Sequence, residues 1–163
     1  MVKVIEVSGT LTEELLKSTW NRIERIMNFE GGRIQILISN TTTESAVADR
    51  VEERSAELYL KLRDVPNLET VAGSNIDNAG FLIFMAGEEK RITPNVSFNL
   101  RVIPYVLAAI AGESDKDPLE IDTILSKGPL DAFQFQQLGI SDGYFVGNYK
   151  GFLESLVAAR AST

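Results

Sequence analysis

The stretch from Val2 to Ser39 constrains the fold more than any other part of the chain. Val2 to Val7 alternates apolar and polar side chains, as a half-buried strand does, and Ser8-Gly9 then turns the chain. A helix opened by Thr10 follows, with Glu13 three residues later to complete a capping box, and Leu15, Leu16, Thr19, Ile23, Ile26 and Met27 recur at helical spacing. Gly31-Gly32 stops it. Arg33 to Ser39, with Ile34, Ile36 and Ile38 in a compact run, is the strongest strand in the sequence. Two strands separated by one helix of this length form a parallel crossover, because parallel strands cannot be joined by a tight hairpin.

The pattern continues. Asn40 to Thr43 reads as a polar turn, and Glu44 to Arg63 as a second helix whose Ala46, Val47, Val51, Leu58, Leu60 and Leu62 form a broad apolar side. Pro66-Asn67 breaks it, and Leu68 to Ala72 is a short strand. Asn78 to Ala86 is almost wholly apolar, as expected of a helix buried on all sides. Arg91-Ile92 and Val96 to Val102 read as strands, Tyr105 to Ala111 as a short apolar helix or strand, and Gly112 to Pro118 as an acidic loop. Leu130 to Leu138 and Lys150 to Arg160 read as helices. Strands alternating with helices imply an α/β sheet covered by helices. Without repeats, low-complexity tracts or a linker, residues 1–163 are expected to form one domain.

Composition removes whole classes of chemistry. The chain has no His and no Cys, hence no Ser/His/Asp or Cys/His machinery, no zinc finger and no disulfide. Sixteen basic against 23 acidic residues give a net charge of -7, which opposes attraction to nucleic acid and to anionic membranes. The N-terminal residues lack the pattern of a signal peptide, and no apolar run nears the ~20 residues needed to span a bilayer. The expected compartment is the cytoplasm.

Two segments could carry a site. Gly73-Ser74-Asn75-Ile76-Asp77-Asn78-Ala79-Gly80 links a strand to the start of the buried helix, where free backbone N–H groups can hold an anion; Asp77 or Asn78 at its tip is either a ligand-facing residue or a helix cap. Ser39 to Thr43 ends the strongest strand, on the side of a parallel sheet where ligands bind, and is either a binding loop or a turn with a cap. Glu88 to Arg91 is a solvated charge run. Asp115, Asp117 and Glu120 lack the glycine and terminal Glu of a calcium loop, so no metal is expected there; no cofactor is expected either.

The order of these segments resembles the proteolytic subunit of the Clp peptidase, within the broader Clp-peptidase/crotonase fold. The similarity runs from Val7-Ser8-Gly9 to Leu138-Gly139-Ile140-Ser141-Asp142. Ile36-Leu37-Ile38-Ser39-Asn40 resembles the strand end before the family's oxyanion loop. Asn78-Ala79-Gly80-Phe81-Leu82-Ile83-Phe84-Met85-Ala86-Gly87 is similar to its nucleophile elbow and buried helix. Lys90-Arg91-Ile92-Thr93-Pro94-Asn95 and Val96 to Arg101 are similar to the block that ends on the catalytic histidine. The implied architecture is one of stacked sheets with flanking helices.

The resemblance also implies where catalysis fails. The serine position falls on Asn78 and the histidine position on Arg101, neither of which can serve as nucleophile or base. The oxyanion loop falls at Thr41 and Thr42, with Ala79 as its partner after the nucleophile position, and the third acid falls near Asp122. The family's handle between the histidine strand and the acid shortens to Val102–Ile121, so ring stacking through a handle is not implied, while a trimeric, hexameric or heptameric ring through the body of the fold is, with Val102 to Ala111 as a contact surface or ordinary core. The expected function is that of an inactive Clp-peptidase-like subunit with a structural or binding role, alone or with a Clp-type paralogue. The alternatives are a crotonase-type enzyme using Asp77, Asp122 and a backbone oxyanion hole, and a residual hydrolase using Ser74 or Ser97.

Overall fold

The computed structural model describes residues 2–143; the expected helix Lys150 to Arg160 lies outside them. Strand β1 (Val2–Thr10) and strand β2 (Arg33–Thr42) flank helix α1 (Glu13–Arg25), and the two strands pair in parallel, as the crossover pattern requires. Both strands run further than the sequence suggests. Ser8 pairs with Ser39, but Gly9 pairs with Thr41, so Asn40 is an extra residue on β2, in a left-handed conformation at φ 50°. Asn40 therefore makes a bulge, not the expected turn, and the ladder resumes through Thr42.

Because β1 continues to Thr10, the expected cap moves too. Thr12, not Thr10, accepts a hydrogen bond from the Leu15 N–H at 3.1 Å and opens α1. The last turn, Ile26–Glu30, widens into a π-helix and closes at Gly31, whose positive φ of 71° suits glycine.

Helix α2 (Ala48–Leu62) follows a single 3-10 turn. Val51, Leu58 and Leu62 are buried, but Val47 and Leu60 are exposed, so the apolar side is narrower than expected. Leu60 lies two residues from Leu58, about 200° around the helix, and cannot share its face. Glu52 and Ser55 occupy the buried face instead.

Strands β3 (Glu69–Gly73) and β5 (Glu89–Ile92) complete a parallel four-stranded sheet in the order β1-β2-β3-β5. A second sheet, β4-β6-β7, is built from Asn75–Ile76, Ser97–Phe98 and Leu130–Asp131. The expected strand Val96 to Val102 thus shortens to two residues, because its partner β4 ends at Ile76, where Asp77 caps the next helix, and the Arg101 N–H turns to the Asn78 side chain.

Four further helices complete the fold. Helix α3 (Asn78–Phe84) is buried along its whole length. Tyr105 to Ala111 resolves as helix α4 (Pro104–Ala111), and α5 (Pro118–Ser126) is a helix without a counterpart in the sequence reading, started by an Asp117 cap followed by proline. Helix α6 (Ala132–Gln136) begins later than expected, since Leu130–Asp131 is paired in the second sheet. Phe81, Phe84, Phe98 and Phe135 meet with ring centroids 4.5–6.3 Å apart and tie α3 to the second sheet and α6.

Candidate functional site

Helix α3 starts where the ends of β2 and β4 meet, and Asp77 is its cap. The Asp77 carboxylate accepts from the Gly80 N–H at 3.0 Å, from the Thr41 hydroxyl at 2.9 Å and from the Thr43 hydroxyl at 2.6 Å. Thr41 is itself buried and accepts from the Asp77 N–H at 3.1 Å. An Asp at this position is explained by capping, and the bond to two threonines also fixes the loop after β2 against the helix.

Gly80 is required by the closeness of that contact. A Cβ there would lie 2.3 Å from the Thr41 Oγ1, nearer than atoms can approach. The two segments singled out in the sequence, Ser39 to Thr43 and Gly73 to Gly80, are thus one site.

Asn78, the first residue of α3, is 4% exposed and has both ends of its amide engaged. Its Nδ2 donates to Glu52 Oε2 at 3.0 Å, and its Oδ1 accepts from the Arg101 N–H at 2.9 Å. The Arg101 guanidinium in turn pairs with Glu52 Oε1. Glu52, Asn78 and Arg101 therefore close a ring of hydrogen bonds that joins α2, α3 and the segment after β6.

Glu52 is the residue that sequence reasoning missed. It sits in a run of charged residues, Glu52-Glu53-Arg54, that reads as a solvated face, yet its side chain is 5% exposed. The signal was its register: Ala48, Val51, Glu52, Ser55, Leu58 and Leu62 follow helical spacing and place Glu52 on the side facing α3.

Above this floor lies a cavity of about 530 Å³, lined among others by Thr41, Thr42, Asp49, Glu52, Asp77, Asn78, Ala79 and Arg101. Thr41, Thr42, Asp77, Asn78, Ala79 and Arg101, singled out in the sequence, all line it, and Asp122 does not. Asp122 stands exposed on α5, where its carbonyl accepts the Ser126 hydroxyl. Ser74 and Ser97 do not line it either; they lie at the β4–β6 junction, with the Ser97 N–H donating to the Ser74 carbonyl at 2.7 Å. Among the described residues no cluster of three or more acidic side chains is placed to hold a metal ion, and Asp117 serves as a helix cap.

Comparison with solved structures places this architecture. ClpP1 from Listeria monocytogenes superposes with a TM-score of 0.69 at 16% identity, covering 91% of this chain and 94% of that one. The ClpP protease catalytic domain from Plasmodium falciparum gives 0.71 at 12% identity over 89% and 85%. An enoyl-CoA hydratase/isomerase family protein from Silicibacter pomeroyi gives 0.72 at 13% identity over 98% and 79%.

The chain has the Clp-peptidase/crotonase fold.

No protein-family model and no curated protein matches the sequence, so the likeness is one of architecture. Within this fold the two sequence positions assigned to nucleophile and base, Asn78 and Arg101, are in direct contact, through the Arg101 backbone and not its side chain. Among the described residues no helix is long and apolar enough to cross a membrane.

Proposed function

We propose that the chain is a catalytically inactive relative of the Clp peptidase that acts as a structural or binding subunit, as a homo-oligomer or beside a Clp-type paralogue in the cytoplasm. The observation that carries this reading is the closed ring of Glu52, Asn78 and Arg101. An amide has no nucleophilic electron pair to offer a carbonyl, and this one is held at both ends. A guanidinium stays protonated throughout the physiological range and cannot accept a proton.

The crotonase-type alternative has the cavity in its favour, since a carboxylate, Asp77, lines it. It needs backbone N–H donors aimed at a developing enolate. The anionic Asp77 side chain already accepts one of the first N–H groups of α3, and a second negative charge beside it is disfavoured. Asp122, its intended partner, lies elsewhere.

The test assays the purified full-length protein against a panel of fluorogenic peptides and against crotonyl-CoA hydration, and determines its mass by light scattering. The expected results are no turnover and a mass several times that of one chain. Peptide or crotonyl-CoA turnover that disappears in Asp77→Asn overturns the inactive reading. A monomer at micromolar concentration overturns the assembly.

A further inference from the structure

We infer that the cavity at the head of α3 binds a small, neutral, polyhydroxylated molecule, a sugar or sugar-like polyol. This deepens the reading of the chain as a binding subunit and rests on it. The cavity's volume of about 530 Å³ falls in the range of small-molecule sites. Its walls decide the class of ligand.

An acyl chain or a large apolar side chain needs apolar walls, and of the thirteen described residues that line the cavity only Ala48 and Ala79 lack a polar side-chain group. Among the described residues an anion meets three carboxylates, Asp49, Glu52 and Asp77, against one guanidinium that Glu52 already neutralises. A cation finds little more. Both Glu52 oxygens accept from Arg101 and Asn78, both Asp77 oxygens accept from Thr41, Thr43 and Gly80, and Asp49 is a single carboxylate exposed to solvent, where ion pairing is weak.

A neutral polyol has none of these conflicts. Each hydroxyl both donates and accepts, so it can use an acceptor-only carboxylate, a donor-only guanidinium and an amide that does either. The rim supplies all three in Asp49, Arg101, Asn75 and Asn99. The floor of Glu52, Asn78, Asp77 and Thr41 is internally satisfied, so it is fixed before a ligand arrives and adds no ordering cost. Among the described residues no aromatic ring lines the cavity, so hydrogen bonds supply the affinity there and a Kd of roughly 1–10 mM is expected.

The experiment is saturation-transfer NMR on the full-length protein with D-glucose, D-galactose, D-ribose and myo-inositol, with putrescine, citrate and crotonyl-CoA as competing classes. Saturable binding of at least one of the four hydroxyl compounds is expected, weakened about tenfold or more in the rim variant Asn75→Ala/Asn99→Ala while its melting temperature stays at the parent's. Three outcomes overturn the inference: no saturable signal from any of the four up to about 50 mM, tighter binding of putrescine, citrate or crotonyl-CoA, or sugar binding unchanged in the rim variant. Each of these leaves the inactive reading standing, because only turnover of peptide or crotonyl-CoA bears on that.

Discussion

Glu52 and Arg101 are bound to each other across the junction of α2 and the segment after β6, and the pair is lopsided: the Glu52 side chain is 5% exposed and the Arg101 side chain 63%. The acid is the buried partner, and the exposed cation is what makes its burial tolerable.

Arg101→Ala is therefore expected to destabilise the fold by about 1–3 kcal/mol, since it leaves a buried carboxylate with only the Asn78 amide for a partner. Exposure of Arg101 to solvent keeps this below the ~3–5 kcal/mol of a fully buried pair. Arg101→Lys restores only part, because an ammonium cannot reproduce the guanidinium fork. Urea denaturation midpoints measure this; a midpoint unchanged in Arg101→Ala contradicts it.

Asp77→Ala removes a helix cap and, with it, the acceptor for the Thr41 and Thr43 hydroxyls. Cap loss costs about 1 kcal/mol, and the orphaned, buried Thr41 hydroxyl adds on the order of another 1–2 kcal/mol. Asp77→Asn keeps an acceptor on the helix and is expected to cost less than half as much. Equal losses in the two variants, read from thermal or chemical melts, count against the capping role.

Asn78→Ser places a hydroxyl at the position that the sequence resemblance assigns to a nucleophile, and it is expected to give no hydrolase. The serine has an arginine backbone and a glutamate beside it, no imidazole, and Asp122 is not at the cavity. It also leaves Glu52 and the Arg101 N–H short of a partner, at about 1–3 kcal/mol. Peptide turnover by Asn78→Ser above that of the parent protein overturns the view that more than the serine is missing.

How far the sequence discloses this structure follows from the range of the forces involved. The β1-α1-β2 unit is legible because its signals are local: alternation, helical spacing and a glycine pair. The start of α1 is misplaced from Thr10 to Thr12 because β1 is prolonged by pairing with β2 beyond the Asn40 bulge, an interaction between residues some thirty positions apart. Of the residues that line the cavity, Asn78, Arg101 and Thr41 are picked out by the order of segments and Asp77 by the turn before the buried helix. Glu52 is hidden by its charged neighbours, since only its register on α2 marks it as inward, and a buried acid is uncommon enough that composition argues against it.

The same register gives a paired prediction on α2. Leu58→Ala is expected to cost about 2–5 kcal/mol, as for other buried leucines. Leu60→Lys, on the exposed face, is expected to stay within about 0.5 kcal/mol of the parent. A large loss for Leu60→Lys in dilute solution would mean that this face is covered by another surface, and its dependence on protein concentration would then identify a second copy.

Gly80→Ala tests the contact between α3 and the end of β2. The added methyl meets Thr41 Oγ1 at 2.3 Å and its Cβ and Cγ2 at 3.0 Å, so strand and helix must separate. Overpacking of this kind costs about 1–3 kcal/mol, against the few tenths that alanine ordinarily gains over glycine in a helix. The decisive measurement is a double-mutant cycle with Thr41→Ala, which removes the hydroxyl and methyl that the new Cβ strikes. Thr41→Ala alone is destabilising because Asp77 loses a donor, but in combination the two losses are expected to add to less than their sum by about 1 kcal/mol or more. Strict additivity would show that the strain of Gly80→Ala is relieved somewhere other than at Thr41, and that the head of α3 is less tightly seated on β2 than these distances require.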